Sequence, residues 1–428
     1  MIGSAAASRL VLAAAFIVLA SGCDSRTPSR GAEAAQVNKP RAGYAQELAA
    51  LDAAIASGTA LSAQRTDDAL LPLEITGLYQ ERARLTGRYD DFTRARAMLD
   101  AQAKGKPAPS FCLAQARLHY TLHRLAQATQ ALDACPTSVE RTEIAGLRAD
   151  IAMYSGRYRE AESTYRALLN QQPLPQTYVR LALLKAKTGS PAEAHALLEA
   201  AEKRYYGVSA TMKAWLKLQR GLVALDRGRL DEALALYRLA GDALPGWWLV
   251  DEHVAEVTLL RGDAAAARTL YADVVERTQS PEFMDALATL EHAAGHDAEA
   301  QRWRARARPI YEQRMAEFPE AAAGHALDHF LADHANPGRA LALAEANFKV
   351  RPYGEAAIGL AKASIIAGKP ARAATLLESQ LASGWDTAET HWVLAKALDA
   401  AGRREPAAQA HAAALLRNPE SDRMYAIP

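Results

Sequence analysis

Short runs in which apolar residues recur at i, i+3, i+4 and i+7 follow one another along most of this chain, from about residue 73 to 419. That period belongs to amphipathic helices, each with one stripe to bury. The pattern is clearest between Arg220 and Pro245. There Gly221, Leu230, Ala233, Tyr237 and Ala240 mark the apolar seam, Gly228 divides two helical stretches, and Pro245 ends the second. Glycine suits the division because helices commonly end on a left-handed residue before the chain reverses. Proline suits the end because it cannot continue a helix.

The unit recurs. One small residue near the start of each second helix aligns the copies at Phe92, Ala128, Ala161, Ala194, Ala233, Ala267, Ala300, Ala340, Ala373 and Ala407, with spacings of 36, 33, 33, 39, 34, 33, 40, 33 and 34 residues. Five residues upstream stands a glycine at Gly87, Gly156, Gly189, Gly228, Gly262, Gly295, Gly368 and Gly402. The second copy has His123 there, and Asn336-Pro337-Gly338 supplies the turn of the eighth. Twelve residues downstream a proline closes four copies, at Pro173, Pro245, Pro352 and Pro419. A helix–turn–helix unit of about 34 residues cannot bury its apolar face alone, so stacked copies form a solenoid in which each unit contacts its neighbours. The spacings of 39 and 40 predict longer loops, or extended helices, near residues 205–209 and 309–318.

This helix, glycine, helix, proline pattern closely resembles the tetratricopeptide repeat family over roughly residues 73 to 419. The resemblance implies an all-α, right-handed superhelical solenoid of about ten helix pairs, the first helix of each lining a concave groove. Carried over position by position, the groove register falls on Arg84, Arg117, Tyr120, Asp150, Arg180, Trp215, Glu256, His292, His325, His329, Lys362, Trp392 and Lys396. Both charge signs are present, which fits an extended peptide or a partner's tail. The implied role is a non-enzymatic scaffold or adaptor for protein partners, without a cofactor.

The N-terminus has a different character. Arg9 precedes an apolar run from Leu10 to Ala20, too short for a membrane span, and Ser21, Gly22 and Cys23 follow. Leu19-Ala20-Ser21-Gly22-Cys23 resembles a bacterial lipoprotein signal. That likeness implies removal of residues 1–22, lipidation of Cys23, and a membrane anchor facing the periplasm. Asp24, next to the lipidated position, weakly favours the inner membrane by the same resemblance. Residues 23–43 read as the lipidated cysteine and a polar tether. Residues 44–72 read as an N-terminal capping helix and loop, with Leu48, Leu51 and Ile55 on one face of Tyr44–Ser57. Residues 73–419 form the solenoid and 420–428 a C-terminal tail.

Composition narrows the function further. Apolar residues make up 50% of the 428 and aromatics only 7%, which suits helix packed on helix rather than a sheet core. A formal net charge of +1 gives no bulk attraction to nucleic acid. The chain carries no glycine-rich phosphate loop and no nucleophile elbow. Cys112 and Cys135 fall opposite each other at the open end of one hairpin, either as a disulfide in an oxidising compartment or as two buried thiols. His325 and His329 are i, i+4 on one helix face and Asp333 continues the stripe, a spacing able to chelate a divalent ion. A metal-handling accessory protein is therefore the second reading. A third is the non-catalytic subunit of an envelope enzyme or assembly complex.

Overall fold

The computed structural model describes residues 43–332 and 336–427. Cys23, Asp24 and the signal segment lie outside the described residues, as does Asp333. Helix α1 spans Tyr44–Gln64. Ten helix pairs follow. The first five are α2 Leu71–Thr86 with α3 Asp90–Gln102, α4 Phe111–Thr121 with α5 Leu125–Asp133, α6 Arg141–Tyr154 with α7 Tyr158–Gln171, α8 Pro175–Lys187 with α9 Pro191–Arg204, and α10 Ala210–Leu225 with α11 Leu230–Ala243. The second five are α12 Trp248–Leu260 with α13 Ala264–Thr278, α14 Pro281–Ala293 with α15 Asp297–Glu317, α16 Pro319–Leu331 with α17 Pro337–Val350, α18 Gly354–Ile366 with α19 Pro370–Ser383, and α20 Ala388–Ala400 with α21 Arg404–Arg417. The short α22, Ser421–Met424, closes the stack. The chain is an all-α superhelical solenoid of ten helix pairs.

The repeat pattern acts locally as its chemistry requires. All eight turn glycines are left-handed, with φ between 69° and 95°, and His123 adopts φ 59° in their place. The nine alanine anchors are at most 6% exposed, so each second helix lies close against its first. Of the two long spacings, one is a loop between α9 and α10, and the other is absorbed by α15, which runs 21 residues with Pro309 inside it. In the eighth pair the side chain of Asn336 caps α17 by accepting from the Arg339 amide at 3.2 Å.

Contacts are not confined to neighbouring pairs. Indole Nε1 of both Trp247 and Trp248 donates to the Leu85 carbonyl, at 3.3 and 3.0 Å. Arg124 pairs with Glu320 at 3.2 Å. Tyr158 Oη donates to Gln380 at 3.2 Å and accepts from the Gly354 amide at 2.9 Å. The Asp386 amide donates to the Lys187 carbonyl at 2.9 Å, and the Asn418 side chain donates to the Leu225 carbonyl at 3.5 Å. In each case the turn inside one pair meets the loop five or six pairs further on. The expectation of nearest-neighbour contact alone therefore fails. About six pairs complete one turn of the superhelix, and its rise is small enough for the second turn to rest on the first. Trp385 is a further wedge in this seam: fully buried, it packs on Gly354 between Tyr158 and Tyr353, with ring centroids 5.4 and 5.7 Å away.

Candidate functional site: the inner face

The first helices of the early pairs carry a chain of charges. Arg117 reaches Glu143 at 3.1 Å, and Arg180 lies 3.6 Å from Glu143 and 3.1 Å from Asp150. Tyr165 donates to Asp150 at 2.7 Å. Gly146 makes room for the Arg180 guanidinium, since a Cβ there would sit 2.7 Å from Nη1. Burial raises the Asp150 carboxyl to about 6, against the opposing pull of Arg180 and the Tyr165 hydroxyl. Arg84 is lowered to about 10, first by burial and then by repulsion from Arg117. Tyr120, Asp150 and Arg180, which the repeat register assigns to the groove wall, are all within 4% of full burial. They hold this part of the wall together from inside. Trp215 is buried as well.

The second superhelical turn keeps a polar cavity between α14, α16, α18 and α20. One part is lined by His325, Asp328, Arg351, Glu355, Lys362 and Glu389. The adjoining part, sharing His325 and Asp328, adds Glu282, Asp285, Tyr311 and His329. Lys362 pairs with Glu389 at 2.8 Å, and Nδ1 of His329 lies 2.9 Å from Asp285. The buried Nε2 of His329 and Nε of Arg351 have no hydrogen-bond partner. Burial raises the Asp328 carboxyl, with Lys362 opposing, and lowers the His325 imidazole. The two adjoining parts thus offer donors and acceptors of both signs on either side of His325 and Asp328.

The remaining groove positions are scattered. His292 is exposed and pairs with Asp297 at 2.6 Å. Trp392 is buried, its indole donating to Asp422 at 2.9 Å, while Lys396 stands exposed with Nζ 4.8 Å from the Trp392 ring centre. Glu256 is buried beside His253 in α12. Among the described residues, one group of three His and acidic side chains has its ligand atoms close together, Glu252, His253 and Glu256; the His325/His329 stripe has its third member, Asp333, outside the described residues. Asp328, Arg351 and Glu389 escape the repeat register. Asp328 carried one signal, its i+3 position from His325. Cys112 and Cys135 are joined by a disulfide, with Cα atoms 5.3 Å apart, tying the start of α4 to the end of α5.

No protein-family model matches the chain, and no curated protein does. Several solved structures are similar to it. One is TTC0263, a thermophilic TPR protein of Thermus thermophilus, 23% identical, covering 44% of this chain and 99% of that one with a TM-score of 0.36. Another is a tetratricopeptide repeat protein of Parabacteroides merdae, 16% identical, covering 66% and 97%, with a TM-score of 0.33. A third is the human IFIT1 dimer with PPP-AAAA, 14% identical, covering 79% and 90%, with a TM-score of 0.38. The helix pairs, turn glycines and buried anchors of the chain itself carry the assignment of its fold.

Proposed function

We propose that this protein is a non-enzymatic scaffold that holds an extended segment of a protein partner in the cavity between α14, α16, α18 and α20. The reading includes a lipid anchor at Cys23 and a periplasm-facing orientation, both supported by the likeness of Leu19 to Cys23 to a lipoprotein signal. One observation carries the binding reading: the cavity wall presents charges of both signs together with buried polar atoms, His329 Nε2 and Arg351 Nε, that lack a hydrogen-bond partner. Orphaned buried polar groups are costly, and a peptide backbone with alternating carbonyls and amides can satisfy both kinds.

The test uses full-length protein recovered from detergent-solubilised membranes. His325→Gln with Asp328→Asn preserves shape while removing two polar contacts of the wall. Capture of the native partner is expected to weaken about tenfold, since net hydrogen bonds contribute about 0.5–1.5 kcal/mol each. Arg372→Gln, on the exposed face of α19, should leave capture unchanged. Equal capture by the cavity variant and the wild type would overturn the reading.

A further inference from the structure

Two carboxylates and one imidazole converge within α12, away from the partner cavity. Nδ1 of His253 lies 3.1 Å from Oε2 of Glu252 and 3.3 Å from Oε2 of Glu256. All three residues are buried, Glu252 to 1% exposure, and their donor atoms fall within 4.8 Å of one another. Nδ1 lies within hydrogen-bonding distance of Glu256 Oε2. Oε2 of Glu252 takes part in no hydrogen bond. The ring itself is held in place by stacking on Tyr237, with centroids 5.3 Å apart and planes at 24°. On the far side, Tyr271 is kept neutral by burial and by the two carboxylates. Three atoms with lone pairs therefore face one another in a buried site, where Oε2 of Glu252 lacks a hydrogen-bond partner.

We propose that Glu252, His253 and Glu256 form a binding site for a borderline divalent transition-metal ion of the zinc or cobalt type. Neutral imidazole supplies a lone pair at Nδ1, and each carboxylate supplies an oxygen. One nitrogen among the three donors favours this class over magnesium and calcium, which prefer all-oxygen surroundings. Tyr237 already orients the ring, as the supporting residues of a metal ligand commonly do. The scaffold reading does not depend on this site, nor the site on that reading.

Full-length protein stripped by a chelator is titrated with Co2+, both after long incubation and after refolding in its presence, so that slow entry does not hide the site. The expected result is one cobalt per chain with a visible ligand-field spectrum, displacement by Zn2+ but not by Mg2+ or Ca2+, and a raised melting temperature. Glu252→Gln keeps the volume and removes one carboxylate ligand. Its metal-free form should melt at or above the wild type, yet bind cobalt at least tenfold more weakly. Glu256→Gln gives the same reading through a second ligand should Glu252→Gln not fold. His411→Gln, at a surface histidine paired with Asp422 at 2.8 Å, should leave cobalt binding unchanged. Absence of stoichiometric cobalt in folded wild type overturns the proposal. So does undiminished binding in Glu252→Gln and Glu256→Gln, or loss of binding on replacing His325 and His329 instead.

Discussion

Arg180 is 4% exposed, flat against Gly146 and held between Glu143 and Asp150. Reversing its charge would disturb folding before it reported on any partner. The informative change is Arg180→Met, which keeps most of the volume but leaves Asp150 without its counterion. Removing one partner of a buried pair costs about 3–5 kcal/mol. Asp150 already has a raised pKa, about 6, and without Arg180 it rises further. A raised carboxyl contributes stability that is present below its unfolded pKa and lost as pH rises through the folded value. The penalty of Arg180→Met should therefore be large at pH 8 and smaller at pH 5, as read by urea melts. A penalty independent of pH across that range would contradict the assignment. The sequence placed Arg117, Asp150 and Arg180 on related register positions. A register states which face a residue occupies, not whether its neighbour carries the opposite charge, so the pairing was not legible.

At the scale of the helix pair, the turn glycines look alike in sequence and differ in surroundings. A Cβ on Gly156 would lie 2.7 Å from the Pro352 carbonyl oxygen, and one on Gly189 would lie 2.8 Å from Asp386 Oδ2. Gly262, Gly295, Gly368 and Gly402 meet nothing within 4 Å. The first group lies under the second superhelical turn, and the second group faces outward. Alanine at either kind of site carries the left-handed strain of about 1–2 kcal/mol. Gly156→Ala adds a clash with backbone, of the order of 1–3 kcal/mol. Gly156→Ala should therefore lower stability by about 1–3 kcal/mol more than Gly295→Ala in denaturant melts. Equal losses would mean that the two turns of the superhelix do not touch there. Anchors and turns were legible because each is set within one unit of the repeat. The 40-residue spacing left loop and helix extension open, and the continuation of α15 past Pro309 decides for the helix.

For the whole molecule, the added information is closure. Leu85 touches Trp248 and Tyr158 touches Gln380 across 163 and 222 positions of sequence. No alignment of adjacent units states that distance, because it depends on small rotations summed over about six pairs. Closure also sorts the inner face. The early pairs use their groove positions to bond with one another, while the later pairs retain a cavity where His325, Asp328, Arg351 and Lys362 meet. Repeat register thus identified His325, His329 and Lys362, but not the adjoining pockets they line. Site-specific photo-crosslinking in intact cells tests the central claim most directly, with a photoreactive residue replacing His325 in the cavity or Arg372 on the exposed face of α19. The account predicts a discrete partner adduct from position 325, little or none from 372, and loss of the 325 adduct when Asp328→Asn is added. Equal adducts from both positions, or a partner captured from 372 alone, would contradict it.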